Sequence, residues 1–327
     1  MNKIALLSKK EREELFRETA HSMNVTEAIA EKDFWVVWVL DKIFRNEKLN
    51  KILLFKGGTS LSKVFDLIGR FSEDVDLILD WREVIKKNPQ EKAKSKNQQM
   101  KLNKQINEKA QIYIENEVLP IVSEAVFPIC KCNIDKKDGF TINVTYPASF
   151  NDKYLRSQIL LEIGPLASWI PFNSFEISPY AAKYFPALFI QKTCRVNAIL
   201  AERTFWEKAT ILHQEANRNK DKPFPSRYSR HYYDLAIMAK SEVKDKALKD
   251  LKLLESVVKF KQKFYPSSWA KYEDAKAGKL KLLPPEYRHK ELKKDYTSMQ
   301  NMIFNKNLDF DEIISILKSL EDEINSL

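Results

Sequence analysis

Hydrophobic and polar residues recur with a helical period near the start of the chain and with a strand period soon afterwards. Residues 8–17, with Ser8 in position to cap them and glutamates in the first turns, predict one helix, and residues 24–44 predict a longer one. The apolar run 52–55 is typical of a buried strand. In residues 74–79 charged and apolar side chains alternate at first, which predicts a second strand.

Three more strands are predicted before residue 170. Residues 130–134 and 140–146 alternate in the same manner and are separated by a polar turn, which predicts an antiparallel hairpin. Residues 158–164 form a further strand-like run that is apolar except for one carboxylate. Before the hairpin, a helix is predicted to become regular near Gln105 and to run to Leu119, and Pro120 is expected to mark a boundary region.

Helical patterns dominate the rest of the chain. Helices are predicted within four segments: 178–200, 198–213, 245–264 and 310–327. The length of 327 residues suits two domains, at roughly 150 residues per domain. We therefore predict an α+β fold in which a mixed-sheet domain, residues 1–170, is followed by a mostly helical domain, residues 171–327.

A pair of glycines lies between the first two predicted strands. The whole chain contains only 6 glycines, so Gly57 and Gly58 stand out. Two glycines allow a tight turn at which the backbone can approach a ligand closely. Thr59 or Ser60 could then cap a short helix whose first N–H groups would suit a phosphate.

Two aspartates follow on the second strand. Asp74 and Asp76 are two residues apart, so both carboxylates lie on one face of the strand while Val75 and Leu77 lie on the other. Oxygen ligands of this kind suit Mg²⁺, which usually binds through one or two carboxylates together with substrate phosphates. A solvated strand end or turn is the alternative interpretation of an Asp-x-Asp pattern.

One carboxylate interrupts the apolar run 158–164. Glu162 would be costly to bury alone, since an isolated buried carboxylate must be paired or bind metal. This residue is therefore a candidate third metal ligand. The alternative is a glutamate on an edge strand that faces water.

The charge balance favours a polyanionic partner. The chain has 55 Lys and Arg residues against 45 Asp and Glu residues, a net charge of +10. Residues 86–104 are rich in lysine and predict either an exposed loop or the polar start of a helix, with its lysines as candidates for RNA binding. Solubility alone could also explain the excess of positive charge.

Cysteine content and hydropathy bear on the compartment. Three cysteines, an odd number, are poor material for a disulfide framework, and we expect reduced thiols. Cys130 and Cys132 fit alternate strand positions better than a zinc site, because no second Cys/His pair has zinc spacing. The first ten residues lack the apolar core of a signal peptide, and no run approaches a membrane span. A cytoplasmic location is expected.

Several motifs together resemble known families. The Gly-Gly-Thr-Ser of residues 57–60 followed by the Asp-x-Asp of residues 74–76 resembles the signature of the nucleotidyltransferase superfamily. The string Phe-Lys-Gly-Gly-Thr-Ser-Leu at 55–61 is similar, more narrowly, to the AbiEii/AbiGii-type toxins. The resemblance continues in the helix around Lys208 and in Arg-His-Tyr-Tyr-Asp-Leu at 230–235.

The resemblance implies roles for individual residues. It implies that Lys208 contacts a triphosphate and that Arg230 and Asp234 line the active site, which the helical domain would complete as a cleft. Periodicity alone would make Lys208 a solvated surface lysine and would make Arg230 and Asp234 a surface pair. Residues 31–33, Glu-Lys-Asp, also resemble a family segment, but we interpret their charges as the solvated side of a packing stripe.

The function implied by the resemblance is transfer of NMP from an NTP to an acceptor. Mg²⁺ or Mn²⁺ would be held by Asp74, Asp76 and Glu162, and the phosphates by residues 57–60 with Lys208 and Arg230. RNA, in particular the 3′ end of tRNA, is the implied acceptor for a toxin of a type IV toxin–antitoxin system. An antitoxin encoded nearby is expected to act without a tight complex. A small-molecule or protein acceptor, or a non-catalytic RNA-binding module, remain the alternatives.

Overall fold

The computed structural model of the protein describes residues 1–72, 74–85, 95–152, 155–304 and 307–327. The predicted lysine-rich loop falls partly outside this range, because its residues 86–94 are not among those described. Within the described residues, no helix combines the length and the apolar character needed to cross a membrane.

The chain divides into two compact units. The first comprises Met1–Val64 and Phe71–Ile199, and the second comprises Phe65–Arg70 and Leu200–Leu327. The first unit therefore includes every strand of the sheet described below. The domain division predicted at residue 170 stays a prediction.

A seven-stranded sheet forms the centre of the first unit. Its strands are β1 (Leu53–Lys56), β2 (Asp74–Leu79), β3 (Lys131–Ile134), β4 (Thr141–Thr145), β5 (Gln158–Gly164), β6 (Phe172–Ile177) and β7 (Cys194–Ile199). Their order is β3-β4-β5-β2-β1-β7-β6. The pairs β2–β5 and β1–β7 are parallel and the other pairs are antiparallel. The predicted mixed sheet and the β3–β4 hairpin are thus confirmed.

Two strands of this sheet were not predicted. β6 and β7 form an antiparallel pair in which Phe172 lies opposite Ile199 and Ile177 lies opposite Cys194. The segment 178–200 was predicted to contain a helix that leads into the next one, and for residues 194–199 this prediction is wrong. β7 pairs with β1, which is far away in the sequence. A local pattern of apolar residues cannot reveal such a pairing.

Helices of the first unit surround the sheet. They are α1 (Asn2–Ala5), α2 (Lys9–Met23), α3 (Glu27–Arg45), α4 (Glu47–Ile52), α5 (Gly57–Lys63), α6 (Trp81–Val84), α7 (Lys96–Tyr113), α8 (Leu119–Val126) and α9 (Tyr180–Tyr184). Ser8 caps α2 as predicted, in a reciprocal capping box with Glu11. α3 is the central helix, because nearly all of its side chains from Ile29 to Phe44 are buried.

Pro120 does not mark a boundary. α7 continues through a π-helical turn, Ile114–Val118, directly into α8, and Pro120 occupies the first turn of α8. The N–H of Leu119 donates to the carbonyl oxygen of Ile114, so helical hydrogen bonding continues up to the residue before Pro120. The predicted boundary is therefore wrong, and the chain leaves the helix only at Phe127.

The second unit is helical. Its longer helices are α10 (Ala201–Ala216), α11 (Ser229–Ala239), α12 (Glu242–Leu248), α13 (Leu251–Phe264), α14 (His289–Met299) and α15 (Phe310–Asn325). The predicted helix 245–264 is two helices, since Asp250 caps a new one at Leu251. Together with the sheet unit, this confirms the α+β prediction.

The two faces of the sheet differ in character. On one face Val75, Leu77 and Leu79 of β2 are fully buried in the core that includes α3. On the other face Leu54, Ile78 and Ile199 form a small apolar cluster. Asp74 and Asp76 share this second face, because alternate residues of a strand point the same way. The main apolar core and the acidic side chains thus lie on opposite faces of β2.

Substitutions on the two faces of β2 should therefore have different effects. Leu77→Ala removes a fully buried side chain, and we expect it to lower the free energy of unfolding by about 2–5 kcal/mol through lost burial and a residual cavity. Asp76→Asn, one residue away on the other face, should change it by less than about 0.5 kcal/mol. Chemical denaturation followed by circular dichroism measures both. Equal losses for the two variants would contradict this division between the faces.

Candidate active site

Three predicted carboxylates lie on neighbouring strands of the sheet. β2 runs parallel to β5, with Asp76 opposite Glu162 and Asp74 opposite Leu160. Residues opposite each other on adjacent strands point to the same face, so Asp74, Asp76 and Glu162 all belong to the face that does not contain the main core. Asp74 and Asp76 are half-buried and Glu162 is exposed.

The exposure of Glu162 overturns the reason given for singling it out. That reason was the cost of burying a lone carboxylate, but its side chain is accessible to solvent. The alternative is also wrong in part, because β5 is an interior strand between β4 and β2. What distinguishes Glu162 is its position beside Asp76.

Gly57 approaches Asp76 so closely that no side chain would fit. Lys56, at the end of β1, lies opposite Asp76 in the antiparallel β1–β2 pair. The next residue, Gly57, has a φ of +80°, and a Cβ built on it would lie 1.9 Å from Asp76 Oδ2. Both the backbone angle and the available space therefore require glycine. The glycine pair and the acidic strand are parts of one structure.

The hydroxyls that follow do not cap a helix. α5 begins at Gly57 with Lys56 as its cap residue, so the predicted capping by Thr59 or Ser60 is wrong. Thr59 Oγ1 donates a hydrogen bond to the carbonyl oxygen of Asp74, and Ser60 Oγ donates one to the carbonyl oxygen of Gly57 at 2.9 Å. Both side chains are buried. They hold the backbone of α5 and β2 together.

The chemistry of this face suits a divalent cation bound partly by substrate. Among the described residues, no group of three or more His, Cys, Asp or Glu side chains is arranged to hold a metal ion by itself. Two carboxylates are nevertheless the usual protein contribution to a Mg²⁺ site that is completed by phosphates and water. Asp76, in contact with the glycine backbone, is placed where such a phosphate could approach.

The second unit contains a buried ion cluster around Asp234. Its carboxylate accepts hydrogen bonds from Arg70 Nε and Nη2, both at 2.7 Å, and from Lys208 Nζ at 2.7 Å. Asp234 is completely buried, and Arg70 and Lys208 nearly so. The interpretation of Lys208 as a solvated surface lysine is therefore wrong, as is that of Arg230 and Asp234 as a surface pair.

The titration behaviour of the cluster follows from its burial. Burial alone would raise the pKa of Asp234, but the positive charges of Arg70 and Lys208 outweigh it and lower that pKa. Burial lowers the pKa of Lys208, and Asp234 opposes this shift. His231 lies one turn before Asp234 on α11. Burial, together with the charges of Lys208 and Arg230, lowers the pKa of His231 well below the usual value. His231 is therefore neutral at pH 7.

Arg230 and Ser229 lie at the start of α11. Arg230 is half-buried. Ser229 is the first residue of the helix rather than its cap, and its own N–H donates to Asp295 Oδ2 at 2.9 Å. Asp295 Oδ1 also accepts from the N–H of Arg227 at 2.7 Å. Asp295 of α14 thus provides the acceptor for two N–H groups at the start of α11.

Sequence reasoning missed three features of these clusters. Arg70 and Asp295 lie far from Asp234 in the sequence, and no periodicity connects them. The segment Glu31–Asp33 of α3 is buried rather than solvated, contrary to our interpretation. Its three consecutive charges directly before the apolar run 34–40 were the available signal, because buried charges require specific partners.

We expect Asp234→Asn to destabilise the protein strongly. The substitution leaves Arg70 and Lys208 buried without their shared counter-ion, and loss of one partner from a buried ion pair costs about 3–5 kcal/mol. Glu312→Gln is the matched control, since the Lys240–Glu312 pair also involves a residue next to α11 but is about half exposed; its expected cost is below about 1 kcal/mol. Urea denaturation measures both, and equal small effects would contradict the role of the cluster.

The loss of stability caused by Asp234→Asn should depend on pH. Because the pKa of Asp234 is lowered in the folded state, its ionised form contributes stability above the ordinary Asp pKa of about 3.9. That contribution is lost only as the pH falls through the lower folded value. The stability difference between wild type and Asp234→Asn should therefore be level from about pH 5 to 8 and shrink in stronger acid. A difference that already declines at neutral pH would contradict this assignment.

Comparisons with known proteins agree with the motifs. The family model described as "Nucleotidyl transferase AbiEii toxin, Type IV TA system" matches residues 38–316. No curated protein matches the chain by sequence. A solved structure of MenT4, a nucleotidyltransferase toxin from Mycobacterium tuberculosis H37Rv, is 16% identical over 96% of this chain and 99% of that chain, with a TM-score of 0.43.

A second solved structure is more distant. Terminal uridylyl transferase 4 from Trypanosoma brucei, with bound UPU, is 10% identical over 98% of this chain and 99% of that chain, with a TM-score of 0.25. The family match instead covers most of the chain, including β1, β2, β5, α10 and α11 with their candidate residues. This chain belongs to the AbiEii family of nucleotidyltransferase toxins of type IV toxin–antitoxin systems.

Proposed function

We propose that this nucleotidyltransferase transfers NMP from an NTP to the 3′ end of an RNA, with tRNA as the acceptor, in a reaction that depends on a divalent metal ion. The observation that carries this proposal is the close contact between the Asp76 carboxylate and Gly57. Any side chain at position 57 would overlap that carboxylate. It joins an acidic strand to a glycine-rich backbone. A phosphate-bearing substrate can use both at once.

Asp74 and Asp76 would hold Mg²⁺ or Mn²⁺, with Glu162 as a third ligand from the neighbouring strand. When bound, such an ion activates the acceptor hydroxyl and neutralises charge on the departing pyrophosphate. The chain's own contribution is to fix the carboxylates. The parallel pairing of β2 with β5 sets Asp76 beside Glu162, and the Thr59 hydrogen bond holds the backbone at Asp74.

The triphosphate would be held by backbone at Gly57 and Gly58 and by cationic side chains. Thr59 and Ser60 contribute by bonding to backbone carbonyls, which keeps α5 against β2. The family resemblance assigns Lys208 and Arg230 to the phosphates. Asp234 then has the role of orienting the Lys208 ammonium, to which it is bonded at 2.7 Å.

The choice of RNA as acceptor is based on charge. The net charge of +10 favours a polyanion, and α7, which includes the described part of the lysine-rich segment, presents exposed lysines. These are Lys96, Lys101, Lys104 and Lys109. Nothing comparable argues for a small neutral acceptor. A cognate antitoxin accompanies this family, and we propose that it acts without forming a tight complex.

Loss of either aspartate should abolish transfer. With Mg²⁺, labelled NTPs and total tRNA, wild type should label the RNA, whereas Asp74→Asn and Asp76→Asn should lose at least about 100-fold in rate because the metal is no longer held. Excess EDTA should have the same effect on wild type. Glu176→Gln, a carboxylate on the exposed face of β6 at the edge of the same sheet, is the control and should retain full activity.

The outcomes of this assay separate the candidate functions. Label in protein or in a small molecule would replace the RNA acceptor, and RNA binding without any label would point to a non-catalytic module. Expression of wild type beside Asp76→Asn in a bacterial host adds a cellular readout, since only wild type should slow growth. Activity of both aspartate variants at the wild-type level would overturn the proposed site.

Neutralising the lysines of α7 should weaken RNA binding and its dependence on salt. Replacing the four by glutamine should reduce the slope of log K against log salt by up to about 3, at about 0.7 per lost phosphate contact to single-stranded RNA. NTP binding should not change. The control replaces four exposed lysines of the second unit, namely Lys252, Lys259, Lys276 and Lys281. An unchanged slope in the α7 variant, measured by filter binding, would remove α7 from the RNA site.

A further inference from the structure

Three consecutive charged side chains of α3 lie inside the apolar core of the first unit. Glu31, Lys32 and Asp33 are only 1%, 1% and 2% exposed. Their neighbours on the helix, including Phe34 and Trp35, are fully buried as well. Because charged groups are costly to bury, each of the three must have specific partners.

Glu31 holds the connection between β4 and β5. Its carboxylate accepts hydrogen bonds from the N–H of Ser149 at 2.8 and 3.0 Å and from the N–H of Phe150 at 3.0 Å. Hydrogen bonds to an ionised acceptor are shorter and stronger than neutral ones. The segment so held leads into β5, which carries Glu162.

Asp33 holds α5, the helix that begins with the two glycines. Asp33 Oδ1 is 2.6 Å from Lys63 Nζ at the last residue of α5, and Asp33 Oδ2 accepts from the N–H of Tyr180 at 2.7 Å. The Lys63 ammonium also lies 3.7 Å from the centroid of the Tyr180 ring. Both charged side chains of this pair are almost completely buried.

Lys32 lies next to the segment that enters β2. Its ammonium is 6.0 Å from the centroid of the Phe71 ring, three residues before Asp74. The three side chains thus reach three different parts of the candidate site: the segment before β5, the segment before β2, and α5. None of the three is exposed enough to touch a substrate directly.

We propose that Glu31, Lys32 and Asp33 are positioning residues for nucleotidyl transfer, and that the Asp33–Lys63 ion pair fixes the glycine-bearing helix α5 in its productive position. This inference rests on the function proposed above. It assigns the charged segment a task that a purely apolar helix could not perform, because each ion pair or hydrogen bond specifies one position of its partner. Errors of about 1 Å in such positions can cost about 100-fold in rate.

The double variant Asp33→Asn with Lys63→Met tests the pair. Each single substitution removes one charge of this buried pair and keeps the other, which could prevent folding. The double variant removes both charges, and the amide oxygen of the new asparagine side chain can still accept from the N–H of Tyr180. We expect a melting temperature close to that of wild type, kcat lower by about 10- to 100-fold with an unchanged KM for RNA, and faster amide hydrogen exchange in residues 57–63.

The matched control is Asp41→Asn with Arg45→Met. It removes another ion pair of α3, 2.7 Å long, whose aspartate is equally buried, whose arginine side chain is 61% exposed, and whose partners lie outside α5. Its kcat and its exchange in residues 57–63 should equal those of wild type. If amide exchange in α5 increased as much in this control as in the test variant, the effect would come from weakening α3 in general. That result would overturn the inference.

Wild type and Asp76→Asn in the same assay separate the two proposals. If wild type transfers and Asp76→Asn does not, while the folded double variant has wild-type kcat and exchange, the positioning inference fails and the proposed function stands. If wild type transfers nothing, the proposed function fails. The exchange measurement then still decides whether the pair anchors α5: faster exchange supports the anchoring, and unchanged exchange overturns it.

Discussion

The candidate site depends on the close contact between Gly57 and the carboxylate of Asp76. A φ of +80° and a distance of 1.9 Å from a would-be Cβ to Asp76 Oδ2 exclude any larger residue. The same contact joins the end of β1, the start of α5 and the acidic end of β2. The hydrogen bonds of Thr59 and Ser60 then keep these elements together. The Gly-Gly-Thr-Ser sequence is therefore as much a structural requirement of the acidic strand as a candidate phosphate site.

Each of the two units has its own way of accommodating the charged candidate residues. In the sheet, the period of two places Val75, Leu77 and Leu79 in the core and Asp74 and Asp76 on the other face. In the second unit, the carboxylate of Asp234 is itself completely buried, and Arg70 and Lys208 neutralise its charge. The first arrangement leaves carboxylates accessible for a cation, whereas the second uses a carboxylate to fix a lysine.

Local patterns in the sequence predicted those parts of the fold that local physics determines. The capping box at Ser8, the β3–β4 hairpin and the alternation in β2 each depend on residues close together in the chain. The strand β7 escaped prediction although its buried residues Cys194, Val196 and Ala198 alternate with Arg195 and Asn197 at the strand period. The helix continues past Pro120, which lies in the first turn of α8 directly after the π-helical turn Ile114–Val118.

The sequence suggested candidate residues for the site more readily than it suggested their partners. Motif spacing and the family resemblance identified Asp74, Asp76, Lys208 and Asp234, whereas Arg70 and Asp295 could not be found because their contacts join distant parts of the chain. Glu162 was chosen for a burial that it does not have, yet the register places it beside Asp76.

The charged segment of α3 shows how such a wrong interpretation can be recognised. A helical segment that is apolar on all sides lies in a core and has no solvated side. From Phe34 to Leu40 every residue of α3 is apolar, so the three preceding charges could have been recognised as buried from the sequence alone. Their burial then requires partners of opposite charge or backbone N–H donors. Lys63, Ser149 and Phe150 supply them from segments that carry or flank the candidate site.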